Sequence, residues 1–382
     1  MTVLDIVAAG CLVLAAIGVT YLLGAILAIR GLAARGRAPL TFFPAVTLLK
    51  PLHGAEPGLF ENLSTFLRQD YPGALQIVFG VQNGRDPAIA VVRRLERAFP
   101  EAEIDLVVDP RLHGTNRKVS NLINMAERIR HDVVVLADSD MIASSDYLGR
   151  VVGELGRPGV GAVTCLYHGV PAGSLWSRLS SLAIDTHFLP SVAVGLALGL
   201  AKPCMGSTIA LRRETLDAIG GFRSLANELA DDYLLGAAVR RLGLEVAVTP
   251  FTIGHACTEK TAVELVRQEL RWVRTIRQID PAGHAGSVLS HPLPFAMAAV
   301  ALAPGLLAAS VVLASIVLRI ALCLAVKRAF GLKAQVYWLV PLRDLLSFCI
   351  FVASFGGRGV SWRGYSYDVT PAGVLTAAKT RH

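Results

Sequence analysis

An α/β domain on a mostly parallel sheet, set between amino-terminal and carboxy-terminal transmembrane helices, is the fold class this sequence predicts. Three observations predict it. Long apolar blocks stand near both ends of the chain, and short apolar runs alternate with helical patterns between them. The 382 residues are 53% hydrophobic with a mean hydropathy of +0.52. That is too apolar for an ordinary soluble domain and too polar for an all-membrane protein.

In chain order, residues 7–29 are almost uninterrupted hydrophobe, long enough to cross a bilayer as a helix. The start "MTVLD" has no basic region and no small-residue cleavage site follows, so a retained anchor is expected over residues 1–30. Arg30, Arg35 and Arg37 come directly after it, which places the amino terminus outside and the globular part in the cytoplasm. Apolar runs at 45–49, 75–81, 104–108 and 133–137 read as buried strands. "LFENLSTFLRQ", "AIAVVRRLERAF" and "KVSNLINMAERI" between them carry helical spacing. Such alternation implies parallel strands with helices on both faces, and ligands bind at the strands' carboxyl ends. Later strands are expected at 161–166 and 245–250, and a helix over 228–242. A further helix opens at Thr261, with Glu264 at capping-box spacing, and runs to about Gln278. The run "PSVAVGLALGLA" (190–201) is too short to span and reads as an interfacial or core helix. Residues 31–290 thus form the globular domain with interfacial helices, and 291–382 the carboxy-terminal membrane segments and tail. Pro304-Gly305 either splits the block 293–326 into a hairpin or kinks one helix, and a last block spans 336–355. Lys327, Arg328 and Lys333 favour the hairpin, whereas Arg358 and Arg363 favour a cytoplasmic tail. Arg343 and Asp344, inside the last block, mark a buried polar contact.

The net charge of +8 reads as attraction to anionic lipid and substrate phosphates. Nucleic acid is disfavoured, because no basic and aromatic stripe occurs. Six cysteines without a C-x-x-C pair support neither a zinc site nor a disulfide framework. No G-x-G-x-x-G follows an early strand, which excludes a dinucleotide-dependent dehydrogenase.

Three constellations carry chemistry. "VVVLADSDMI" ends a buried strand with Asp138 and Asp140. Two carboxylates so close repel unless a cation lies between them, and Mg²⁺ or Mn²⁺ shared with substrate phosphates is the expected solution. The D-x-D spacing would set both side chains on one side of an extended chain. A solvated turn is the plainer reading of a lone D-x-D; its setting after a buried strand favours the metal. "NELADDYLLG" places Asp231 and Asp232 at a helix start, where acidic residues are ordinary dipole partners, or where Asp232 serves as general base. "RQELRWVRTIR" sets Gln268, Arg271, Trp272 and Thr275 on one helical face. That face is either core and solvated edge, or an interfacial helix whose arginine stabilises a departing diphosphate.

In this order, D-x-D, "ADDY" and Q-x-x-R-W before membrane helices resemble the membrane-bound, inverting GT-A glycosyltransferases. "VFGVQNGRDPAI", "NRKVSNLIN", "MGSTIALRRETLDAIGGF" and "SWRG" resemble the ceramide glucosyltransferase-like family within them. "KPLHGAEPGLFENL" and "CLYHGVPAGSLWSRL" are most similar to its bacterial hopanoid-biosynthesis branch, which glycosylates bacteriohopanetetrol. The resemblance implies a GT-A domain facing the cytoplasm at a bacterial inner membrane. It implies a UDP-sugar donor, a membrane lipid acceptor and a divalent metal on Asp138 and Asp140. Lys50, Asp86, Lys118 and Gln268 would join Asp138 on the donor side, Asp232 would be the base, and Arg271 with Trp272 would close over the pyrophosphate. The animal ceramide enzymes carry aspartate where this chain has Asn83 and glycine where it has Asp140. His187 is expected at the acceptor entrance or as a structural histidine. A ceramide acceptor, a processive polysaccharide synthase and a non-catalytic UDP-sugar-binding protein are the rivals; few membrane helices disfavour the synthase, and the intact acidic motifs the binding protein.

Overall fold

The computed structural model describes residues 2–36, 43–333, 335–357, 360–362, 365–369 and 375–377. Arg37, Arg358 and Arg363, with Gly364 of "SWRG", lie outside them. The chain divides into two compact units, a sheet unit drawn mainly from Gly36–Tyr167 and Lys202–Thr258, and a helical unit from Met1–Arg35, His168–Ala201 and Glu259–Gly364.

Among the described residues the sheet unit is built on an eight-stranded sheet: β1 (Val46–Pro51), β2 (Leu75–Val81), β3 (Glu103–Val108), β4 (Val133–Leu136), β5 (Met141–Ile142), β6 (Val160–Pro171), β7 (Ile209–Arg212) and β8 (Glu245–Cys257). Their spatial order is β3-β2-β1-β4-β7-β6-β8-β5. β1 pairs in parallel with β2 and with β4, and β2 with β3, as the alternation of runs and helices requires. β7 runs antiparallel to both β4 and β6, so the sheet is mixed beyond β4. The central strands read as unbroken apolar runs because both faces are covered. Leu48, Phe79 and Val135 pack on one side, Leu49, Val78 and Val134 on the other.

β7 was not expected. Its four residues, "IALR", are too short and too unpatterned to announce a strand, and pairing with β4 and β6 alone makes them one. The helix expected over 228–242 begins only at Asp231 (Asp231–Arg241). The preceding loop is pinned in non-helical form, with the Ala226 carbonyl accepting from Asn116 N–H and the Glu228 carbonyl from the Asn116 side chain.

Among the described residues of the helical unit, four helices are long and apolar enough to cross a membrane: Val3–Ala33, Leu175–Ala197, Leu306–Phe330 and Tyr337–Ser354. A bent pair, Pro281–Ser290 with Pro292–Leu302, makes up to five. The run 190–201 is therefore the end of a longer segment rather than a short isolated helix. Helix Leu175–Ala183, capped by Ser174, continues through a π-helical stretch, Ile184–Phe188, into Leu189–Ala197. The block 293–326 breaks at Ala303–Gly305 into two helices that pack on each other and on Val3–Ala33. Pro304 supplies no backbone donor there, so the helix cannot run on through it. Helix Ala262–Ile279 starts where expected. Thr261 accepts from Glu264 N–H, but the Glu264 carboxylate accepts from Lys260 N–H, one residue before the position a capping box requires.

Candidate active site

At the carboxyl ends of β1 and β4 the sheet unit gathers four sequence-distant stretches. Asp138 lies two residues past β4, and the extended chain has already ended there. Residues Asp138–Met141 form a turn closed by Met141 N–H on the Asp138 carbonyl, after which β5 pairs antiparallel with β8. The two aspartates consequently face different partners, not one side of a strand. Asp138 Oδ1 stands 2.7 Å from Lys118 Nζ, while Asp140 Oδ2 stands 3.6 Å from His255 Nδ1.

Lys118 occupies the first turn of helix Arg117–Ala126, whose N-cap Asn116 accepts from Val119 N–H at 3.1 Å. The other end of the Asn116 side chain donates to the Glu228 carbonyl at 2.8 Å, tying this helix start to the loop before Asp231. Lys118 Nζ is 3.7 Å from Asp231 Oδ2. Asp232 accepts from Gly206 N–H on Oδ2 (2.9 Å) and from Tyr233 N–H on Oδ1 (2.8 Å). The Gly206 carbonyl in turn accepts Asp138 N–H at 3.0 Å. Gly206 is thus the backbone clasp between the D-x-D turn and the Asp231–Asp232 helix. A side chain there would displace the ends of both charged residues, since a Cβ would meet Asp138 Oδ2 at 2.6 Å and Lys118 Nζ at 2.9 Å. Sequence reasoning quoted this glycine within "MGSTIALRRETLDAIGGF" but gave it no role, because only the fold brings it between the two acidic motifs.

Charge in the cluster is unbalanced. Lys118 is an ammonium that faces all three of Asp138, Asp231 and Asp232. Burial disfavours its charge, but those three carboxylates outweigh burial and hold it firmly protonated. Burial and the Asp231 charge push Asp232 up to about 6 against the pull of Lys118. Burial raises Asp231 too, Lys118 opposing and Asp138 reinforcing. A carboxylate titrating near neutrality is suited to take a proton.

Among the described residues no group of three or more His, Cys, Asp or Glu is disposed around one point as a metal site. The donor set nevertheless fits a hard divalent cation. Asp140 Oδ1 is buried without a hydrogen-bond partner, and carboxylates exceed the cluster's ammonium. Asp138 and Asp140 are the residues that would hold it.

Lys50 and Asp86 sit differently from a donor-facing pair. Lys50 is buried in β1, donates to the Asp138 carbonyl at 2.8 Å and lies 3.2 Å from the Phe66 ring centroid. Burial holds it well below the usual lysine range, with Asp138 and Asp140 opposing. It supports the D-x-D turn from beneath. Asp86 accepts from Gly54 N–H at 3.0 Å and Ala88 N–H at 2.9 Å, linking the loop after β1 to a helix start.

In the helical unit, Gln268, Arg271 and Trp272 are half-buried on helix Ala262–Ile279. The deeply buried residues of that helix are Leu265 and Glu269. Glu269 receives a two-pronged contact from Arg343, at 2.9 and 2.6 Å. His187 Nε2 is 2.9 Å from Asp344 Oδ1, and Arg319 Nε is 2.8 Å from the same oxygen. The polar contact expected of Arg343 and Asp344 is therefore two contacts, each with its own partner. Neither Glu269 nor Arg319 was singled out from sequence, since a glutamate inside an amphipathic helix carries no local sign of burial.

The sheet with its strand-end carboxylates describes a GT-A-like fold, accompanied by apolar helices that could span a membrane. A solved mannosyltransferase, PcManGT from Pyrobaculum calidifontis in complex with GDP-Man and Mn²⁺, shares the fold at TM-score 0.57 and 20% identity, over 93% of this chain and 99% of that one. The chain belongs to Glycosyl transferase family 21, which it matches over residues 10–375. It is similar to ceramide glucosyltransferase 1 of Caenorhabditis elegans, 23% identical over 232 residues, which cover 60% of this chain and 49% of that one. An N-acetylglucosaminyltransferase of Rhizobium meliloti (strain 1021) is 27% identical over 242 residues, covering 61% and 55%. The chain spans about half the length of the curated relatives it matches.

Proposed function

We propose that this protein is an inverting lipid glycosyltransferase that moves a hexosyl group from a UDP-sugar to the hydroxyl of a membrane lipid. The observation that carries the reading is Asp232, a carboxylate raised toward neutrality and locked by Gly206 to the turn that bears Asp138. Asp232 takes the proton of the lipid hydroxyl as that oxygen attacks the anomeric carbon. The bond from that carbon to the diphosphate breaks as the new C–O bond forms, configuration inverts, and UDP leaves. One base suffices, and no covalent intermediate forms. Lys118 offers its ammonium to the diphosphate. Asp138 and Asp140 would hold Mg²⁺ or Mn²⁺, which when bound would neutralise charge on the leaving group. The mannosyltransferase that shares the fold is solved in complex with GDP-Man and Mn²⁺. Arg271 and Trp272 are assigned to the leaving group and Gln268 to the donor by their motif, His187 to the acceptor side, and Lys50 and Asp86 support the donor loops.

For the acceptor we propose bacteriohopanetetrol, with N-acetylglucosamine as the sugar, on the "KPLHGAEPGLFENL" and "CLYHGVPAGSLWSRL" stretches. The N-acetylglucosaminyltransferase relative accords with that sugar, and the ceramide glucosyltransferase relative supports the alternative, glucose on ceramide. The protein would sit in a bacterial inner membrane with its sheet unit in the cytoplasm.

The test is transfer from UDP-N-acetylglucosamine or UDP-glucose to hopanoid and ceramide acceptors in nanodiscs, with mass spectrometry of the products. Asp232→Asn should lower kcat by ~10²-fold or more while UDP binding persists. Undiminished transfer by that variant would overturn the base assignment, and no transfer from either donor would overturn the enzymatic reading.

A further inference from the structure

We propose that Lys118 is an internal counter-ion of Asp138 that the divalent cation must displace, so that the metal is taken up together with the nucleotide diphosphate rather than ahead of it. This rests on the reading that Asp138 and Asp140 hold the metal.

The geometry around Asp138 commits one of its two carboxylate oxygens. Oδ1 is engaged by the ammonium at 2.7 Å, on a side chain that is 35% exposed. Oδ2 stands where a Cβ on Gly206 would come within 2.6 Å. A cation that takes both oxygens, or Oδ1 alone, therefore competes with Lys118, which is only 14% exposed and rooted in an Asn116-capped helix turn. The ammonium also has a second anion within reach, Asp231 at 3.7 Å. Withdrawing from Asp138 then costs it one contact, not its whole charge compensation. A bound diphosphate adds anionic oxygens to the same space, so the nucleotide lowers the cost of freeing Asp138. Lys118 and the metal thus interact unfavourably at Asp138 and favourably across the diphosphate. Two ligands that share such a group are coupled, and the coupling is reciprocal: UDP tightens metal binding by the factor by which metal tightens UDP binding.

The experiment measures Mn²⁺ binding to the purified full chain by the electron paramagnetic resonance of free Mn²⁺, with and without UDP. Asp140→Asn serves as the control that reports which Mn²⁺ belongs to this site. Wild type should bind Mn²⁺ weakly alone and about tenfold or more tightly with UDP. Lys118→Met, which is one atom shorter and removes the charge, should bind Mn²⁺ alone about tenfold more tightly than wild type. Lys118→Gln gives a second uncharged side chain should the methionine variant fail to fold, and Lys118→Arg should retain weak binding in the absence of UDP. If the uncharged variants bind Mn²⁺ alone no better than wild type while UDP still promotes binding, the counter-ion role is wrong and the metal site stands. If wild type binds no Mn²⁺ with or without UDP, the metal reading falls, and this proposal with it.

Discussion

Arg343 and Glu269 offer the sharpest perturbation of the helical unit. The guanidinium donates to both carboxylate oxygens at 2.9 and 2.6 Å, and its Nε donates to Ser347 at 2.9 Å. Arg343 is 1% exposed and Glu269 6%. Neither charge has water to fall back on, so removing one partner strands the other. Such a break costs ~3–5 kcal/mol, whereas replacing both partners by well-packed apolar residues is often neutral or stabilising. Arg343→Met and Glu269→Leu should each destabilise the contact between helices Ala262–Ile279 and Val340–Ser354 by that amount. At about tenfold per ~1.4 kcal/mol, opening should rise ~10²- to 10³-fold. The double variant should recover most of the loss. Hydrogen exchange of residues 262–279 in nanodiscs reads the opening directly, with thermal unfolding as a second measure. Because Gln268, Arg271 and Trp272 ride on the same helix, each single variant should also lower transfer activity. Two single variants that both exchange within twofold of wild type would refute the reasoning, since a paired buried charge cannot be lost at no cost.

Further outcomes follow from the sheet unit. The acid limb of kcat against pH should fall through about 6, because Asp232 must be ionised to accept a proton and becomes protonated below that value. Lys118→Met should move that limb to higher pH, since the ammonium pulls Asp232 down; an unmoved limb would mean another group titrates. Gly206→Ala should keep the fold and lower kcat/KM by ~10²-fold, because its Cβ forces Asp138 and Lys118 apart. Activity within twofold of wild type would show that the clasp tolerates a methyl group.

Much of this architecture was legible in local pattern. Unbroken runs such as "VVVL" announced strands covered on both faces, and alternation with helical spacing announced their parallel pairing. The start of helix Ala262–Ile279 followed from Thr261 and Glu264, although only the Thr261 half of the expected capping box forms. Asp138, Asp140 and Asp232 could be named from their motifs because strand ends and helix starts collect such residues. Four things could not be read. β7 exists only because β4 and β6 flank it. The segment Leu175–Ala197 reaches spanning length only when a π-helical stretch joins two helices that look short and separate. The D-x-D pair lies in a turn, where alternation no longer sorts side chains. Lys50 and Asp86 read as donor-side residues, and that Lys50 bonds the Asp138 carbonyl and Asp86 the Gly54 N–H is decided by groups that only folding brings near.

By itself, then, the sequence determined the class of fold, the membrane character and the residue types of the site, since hydrophobic period and motif spacing are properties of neighbouring residues. Tertiary structure decided which charges meet: Lys118 with Asp138, Gly206 between two acidic motifs, Arg343 with Glu269 rather than with the adjacent Asp344. The physical reason is distance along the chain. These partners are separated by 20 to 74 residues, and Coulomb forces and hydrogen bonds act over a few ångströms of space, which no local pattern encodes.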